Sequence, residues 1–483
     1  MKYKKYLFIS CLIIFLFSIT GIYAIDNSDA LQTSDNSTQL LEETEEMEIS
    51  SSDDDLLATE DDGTFTALQK KIDESDEGST ITLTRDYTYD EGFSTRGIVI
   101  DKDLTIDGNG HTINGLSKSR IFIIKLGVIF RNKVTLNNIN FVNGNTNLYG
   151  GAIFNYGDLK VDDCQFTNNY AKYCGGAINS IGYLECKNSK FSNNIASGDG
   201  GAIFTLSIRG TVGNMVEILK DSALDGNMNF ISTLKNNFTL IFAKESISNC
   251  VFTNNQAKGR GGGAIYAYGN IDIKSSTFTQ NTAGEKGGAV FGNKDLFISS
   301  STFTSNQASK YGGAVYFKCH DQGTQIKYYS NLIQTSTFKK NTANKGGAIY
   351  AFRYSDDDNI HCAKAMKCTF EANKASKGRD IYGGTASKCV FNYLKLTLKS
   401  VKVKKSAKKL VLTATLKKGS PLKGKKVTFK FNGKTYKAKT NKKGIAKVTI
   451  KKNVLKKLKI GKKVKYQVKY GKLTVKKTAI VKK

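Results

Sequence analysis

The sequence predicts an all-β chain: a parallel β-helix behind an N-terminal cap, then a small β-sandwich. Three observations carry this expectation. The triplet Gly-Gly-Ala recurs from Gly150, Gly175, Gly200, Gly262, Gly287, Gly312 and Gly346, and four of the six steps are 25 residues. A Phe stands about nine residues before each copy (Phe141, Phe166, Phe191, Phe252, Phe278, Phe303, Phe338), followed in all but the first by an Asn three residues on and an Ala two further. From Leu394 the repeat stops, and apolar residues alternate with lysine. A single Pro, no Trp and 45 Gly suit repeated strands and turns rather than helical bundles.

Residues 1–24 open with Lys2, Lys4 and Lys5, continue as an apolar run and end at Ala24. That is the pattern of a secretory signal peptide; an uncleaved membrane anchor is the alternative. Residues 25–62 hold 14 acidic and no basic residues. One sign of charge and few apolar groups predict a disordered acidic linker.

The expected β-helix occupies residues 63–392. In "FTALQKKIDES", Leu68 and Ile72 lie one helical turn apart, which predicts a short helix over the open end of the coil. "GIVIDKDLTIDGNGHTINGL" then alternates Ile98, Ile100, Leu104 and Ile106 as an opening coil, with His111 in a turn as a structural residue. Within the repeat, Ile271, Ile273 and Phe278 alternate with polar residues, the period of strands. Three strands of about five residues, with their turns, fill one 25-residue unit. No such strand buries its apolar face alone, so units stack, and each phase becomes a ladder with rungs about 4.8 Å apart. Ten to twelve coils give a rod of roughly 50–60 Å. The glycines belong to corners, where left-handed backbone costs Gly nothing. Asn tolerates the same conformation and bonds along a stack of its own kind.

The pairing of "GGAI" or "GGAV" with "FxxN" resembles the repeats of chlamydial polymorphic membrane proteins and, more closely, those of adhesin-like proteins of gut methanogens, over roughly residues 80–392. The resemblance implies a right-handed parallel β-helix, displayed at a cell surface and acting in adhesion. The chlamydial proteins end in an outer-membrane barrel; the sequence predicts none here.

Three steps exceed 25 residues: Gly200 to Gly262, Gly312 to Gly346, and Gly346 to the degenerate copy at Gly378. Insertions in a solenoid leave as loops on one face, as a working surface or as neutral drift. Two of them carry Cys319-His320 and His361-Cys362, which contain two of the three His in the chain. Two thiolates and two imidazoles suit a tetrahedral zinc. Asp356, Asp357 and Asp358 suit a harder ion. The other readings of the pairs are a Cys319–Cys362 disulfide, or no bond at all. Cys164, Cys250, Cys368 and Cys389 stand two residues before a repeat Phe, a slot that Ser189, Ser276, Ser301 and Ser336 fill elsewhere. Shared by Cys and Ser, it reads as a small buried position, and Cys186 takes the inward slot of Val161 and Ile298. A Cys368–Cys389 disulfide between neighbouring coils is a further option.

A polysaccharide lyase or glycoside hydrolase of the same architecture is the rival reading. Such enzymes need paired carboxylates, or a carboxylate-bound cation with a base, on one strand face. Asp162, Asp163, Asp272, Asp295 and Asp380 fall in different phases, so no catalytic residue and no cofactor is assigned.

Residues 393–483 carry 33 Lys and no acidic residue. Val427, Phe429 and Phe431 alternate with polar residues, Asn432-Gly433 is a hairpin turn, and about seven strands predict a sandwich. "GSPLKGKKVTFKFNGKTYKAKTNKKGIAKVTI" resembles Ig-like domains of invasin and intimin type, which implies a stalk or anchor. So many like charges call for an anionic partner, a cell-wall polymer or glycan, while the β-helix addresses a glycan or protein of a host or neighbouring cell. Nucleic acid is not expected as a partner, and membrane contact is expected only through an uncleaved signal segment. The expected location is secreted, on the cell surface or cell wall.

Overall fold

The computed structural model describes residues 61–127, 131–206, 208–209, 241–242, 244–318, 331–352 and 363–483. The signal peptide, all but the last two residues of the acidic linker, and the Cys319, His320, His361 and Cys362 group lie outside them.

The chain begins its fold with helix α1 (Phe65–Glu74). Thr64 caps it, its side chain accepting from the Ala67 N–H, and Phe65, Leu68 and Ile72 are buried. This is the expected cap, its apolar stripe closing the first coil.

Beyond it, the backbone winds through three long parallel sheets of eleven, ten and eleven strands. A representative coil runs Asn270–Lys274, Thr277–Thr279, Thr282–Ala283 and Val290–Gly292, then re-enters the first sheet at Leu296–Ser299. Each strand pairs with the equivalent strand one coil on. Ile273 lies beside Ile298, Phe278 beside Phe303, and Val290 beside Val315. This is a parallel β-helix, and its core is continuous from Phe65 to Phe370. The Phe278 and Phe303 rings stack with centroids 4.7 Å apart and planes 2° from parallel. The coil has a fourth side that period-two reasoning does not reveal. Dipeptide rungs such as Tyr170–Ala171 and Thr282–Ala283 form a six-stranded row. Two residues are too few to display an alternation.

The two glycines of each pair do different work. The first, as in Gly287 (φ +61°) and Gly312 (φ +64°), is left-handed. The second lies under the next coil: a Cβ on Gly288 would stand 2.2 Å from the Gly313 carbonyl oxygen. The expectation for Asn needs a correction. The left-handed residues are those just before the ladder, such as Asn168, Asn254, Gln280 and Lys340. The ladder residues Asn169, Asn194, Asn255, Asn281, Asn306, Asn341 and Asn373 are buried and bond along the stack instead. A side chain turned inward to bond its neighbour needs ordinary backbone; the sharp corner falls one residue earlier.

From Leu394 the strands pair antiparallel, except that Val403–Lys404 runs parallel to the end of Leu473–Lys482. Seven strands of five or more residues and two dipeptide rungs form a four-stranded and a five-stranded sheet around one core that includes Leu412, Leu416, Phe429, Phe431, Tyr466 and Val468.

Candidate functional site

All three long insertions leave the coil at the same corner. At Ser180 to Tyr183 that corner takes two residues. It is where the chain departs after Ile203–Thr205, Val315–Lys318 and Ile349–Phe352, and it re-enters at Lys244–Ser248, Asn331–Gln334 and Ala363–Met366. A two-rung antiparallel pair, Ile208–Arg209 with Ile241–Phe242, lies within the first insertion.

The outer face of the strands that end at this corner carries an aromatic ladder. Phe204, Tyr266, Phe291, Tyr316, Tyr350 and Tyr382 stack with centroids 4.4–5.4 Å apart. All are buried except Tyr382, which is 36% exposed. Lysines border it: Lys286 Nζ lies 5.7 Å from the Tyr316 ring centre, and Lys345 Nζ lies 5.7 Å from those of Tyr311 and Tyr382. Such contacts hold each ammonium against the ring quadrupole. Sequence reasoning missed this ladder. Its signal was present, because the residue after each "GGAI" or "GGAV" is aromatic in all but the copy with Asn179.

The strands that carry the inward Phe present hydroxyls outward. Thr277 and Thr279 lie beside Thr302 and Thr304 in register, with Thr253 and Thr337 extending the columns. Together these make an evenly spaced set of donors and acceptors.

The carboxylates stay apart. Asp272 Oδ2 lies 3.0 Å from Lys244 Nζ and 3.7 Å from Lys274 Nζ, an ion pair on the outer face. Asp162 accepts from Asn188, and Asp163 occupies a left-handed corner. Asp295 directly precedes Leu296–Ser299. Asp380 terminates the Asn ladder, accepting from Asn373 Nδ2 at 2.9 Å. Burial lifts the Asp380 carboxyl above its ordinary range, although the Asn373 bond opposes this. Glu245, which the repeat pattern does not single out, fills the inward slot held elsewhere by Leu184 and Ile271 and accepts from the Thr205 hydroxyl. Among the described residues no cluster of three or more His, Cys, Asp or Glu side chains is close enough to hold a metal. His111 Nδ1 lies 3.2 Å from Asp86 Oδ1 in its turn.

The described cysteines are core residues, apart from the half-buried Cys389. Cys164, Cys186, Cys250 and Cys368 are buried, and the Ser/Cys slot is itself a ladder: the Cys164 N–H donates to Ser189 Oγ, and Cys250 N–H to Ser276 Oγ. The Cys368–Cys389 disulfide is not formed. Both are free thiols, each donating to carbonyls of its own corner and the preceding coil. Burial pushes the Cys164 thiol up to about 12 and that of Cys368 to about 11, away from the thiolate that ligation or nucleophilic attack requires.

Among the described residues no helix is long and apolar enough to cross a membrane. No curated protein and no solved structure matches the chain significantly. Six segments of the stack, residues 163–181, 188–206, 249–268, 275–293, 300–318 and 335–351, match the family model of the Chlamydia polymorphic membrane protein repeat, so the coils just described are built from repeats of that kind.

Proposed function

We propose that this is an exported, adhesin-like protein of the cell surface whose β-helix is a display rod rather than an enzyme. The observation that carries this reading is the match of six coils, stacked in register, to a repeat of surface-associated proteins. The evenly spaced threonine hydroxyls, with the half-buried lysines and the exposed Tyr382 ring at the border of the buried aromatic ladder, supply the contacts that a glycan or a protein of a host or neighbouring cell would use. The lysine-rich domain, Ig-like in its sequence, serves as a stalk or anchor on anionic cell-wall polymer or glycan.

Two measurements test the proposal. Protease applied to intact expressing cells should release β-helix peptides; their appearance only after lysis would refute surface display. A glycan array scored for both binding and cleavage should give binding without new reducing ends. Released reducing ends would establish the rival polysaccharide-degrading activity.

A further inference from the structure

The lysines of the C-terminal domain are unevenly placed over its two sheets. In the five-stranded sheet, the register aligns Lys437, Thr428, Lys469 and Thr474 across four strands, and Thr435, Lys430, Gln467 and Lys476 across the same four. Lys426 lies opposite Lys439, and Lys465 opposite Thr478. All these lysines are exposed. The outer surface is therefore a grid in which ammonium groups alternate with hydroxyls and an amide. The four-stranded sheet carries fewer lysines on its outer face: Thr413, Thr415, Thr449 and Val411 share its middle with Lys447, and Lys395 opposite Lys417 and Lys409 opposite Lys451 lie toward its ends.

A shallow groove of about 530 Å³ opens on the five-stranded face, lined by Lys430, Lys465, Gln467, Lys476 and Thr478 among others. Among the described residues Lys418 alone in this domain has a carboxylate within ion-pair distance, that of Glu371. Like charges directly opposed across a sheet, as at Lys426 and Lys439, are destabilising. So dense a set of like charges favours an anionic ligand on this face.

We infer that the outer face of the five-stranded sheet, centred on Lys430, Lys465 and Lys476, is a binding site for a linear polyanion. The inference rests on the anchoring role proposed above and assigns it to one face. The domain has no Arg at all. Arg recognises carboxylate or phosphate through a planar two-pronged fork, whereas Lys is a point charge on a flexible stem. A surface built from Lys alone reads density of negative charge along a chain, not the geometry of one anion. Polyphosphate and polyglutamate should therefore both bind.

The test uses the full chain and these two polymers as probes, at about 0.15 M salt, where charges farther apart than about 8 Å are largely screened. The triple variant Lys430→Gln, Lys465→Gln, Lys476→Gln is compared with Lys395→Gln, Lys417→Gln, Lys447→Gln on the other sheet. Both triples remove three charges from exposed positions. The first should weaken binding of both polymers about tenfold, and the second less than about twofold. The triple Lys430→Arg, Lys465→Arg, Lys476→Arg, which keeps the charge, should retain binding. Equal losses from the two Gln triples, or binding of only one polymer, would overturn the assignment to this face while leaving a charge-held anchor standing. A wild-type chain that binds neither polymer would remove the anchoring role as well.

Discussion

At the scale of single residues, the repeat is governed by closeness of approach. Gly287 and Gly288 are adjacent and chemically identical, yet the first is held by its φ of +61° together with the Val290 carbonyl oxygen of its own coil, and the second by the carbonyl oxygen of the next coil. Gly433, at a hairpin tip, has φ +83°, but a Cβ there would meet nothing within 4 Å. Gly288→Ala should therefore cost about 3 kcal/mol or more, since the backbone it strikes cannot turn aside. Gly433→Ala should cost about 1 kcal/mol, the penalty of left-handed backbone alone. Each loss should be read from the shift of its own core's guanidinium transition, and equal losses would refute the contact. The glycine pair is conspicuous in the sequence, but its two roles cannot be divided there, because the second depends on a residue 25 positions away.

At the scale of elements, the ladders hold the rod in register. Each Asn amide from Asn169 to Asn341 donates to the Asn Oδ1 of the next coil and to the carbonyl of a repeat Phe, and Asn373 ends the row on Asp380. Asn306 Nδ2, for example, bonds Asn341 Oδ1 and the Phe278 carbonyl, each at 3.0 Å. Asn306 Oδ1 in turn accepts from both the backbone N–H and the Nδ2 of Asn281. Asn306→Ala leaves the buried Asn281 N–H and one of the two Asn281 Nδ2 hydrogens without an acceptor, the other staying on the Phe252 carbonyl, and removes the side-chain donors to the Phe278 carbonyl and Asn341 Oδ1. The expected loss is about 3–5 kcal/mol, with hydrogen exchange of the Asn281 amide rising before that of distant coils. Unchanged protection at Asn281 would show that the ladder contributes little. The stacking of Asn, Phe and the Ser/Cys slot was legible because each recurs at a constant offset. The outer aromatic ladder escaped notice because Phe and Tyr alternate there, and the two-residue rungs because they are shorter than the period that marks a strand. The absent Cys368–Cys389 bond has a similar origin. A shared slot brings two cysteines into neighbouring coils, but there each thiol is directed to carbonyl oxygens.

At the scale of the whole molecule, two hydrophobic cores answer to different solvents. The β-helix core is a stack of apolar ladders, with little net charge at stake. The C-terminal core is enclosed by sheets whose lysines repel one another. Raising salt from about 50 mM to about 500 mM shortens the screening length from roughly 14 Å to roughly 4 Å. Calorimetry should therefore show the C-terminal transition moving up by several degrees while that of the β-helix hardly moves; a common shift of both would refute the separation. The corner from which all three insertions depart has a consequence of its own. It interrupts no rung, so a foreign peptide spliced between Ala267 and Asn270 would be carried outward without disturbing the scaffold. Evolution or an engineer can thus exchange cargo here as one changes the flag on a mast.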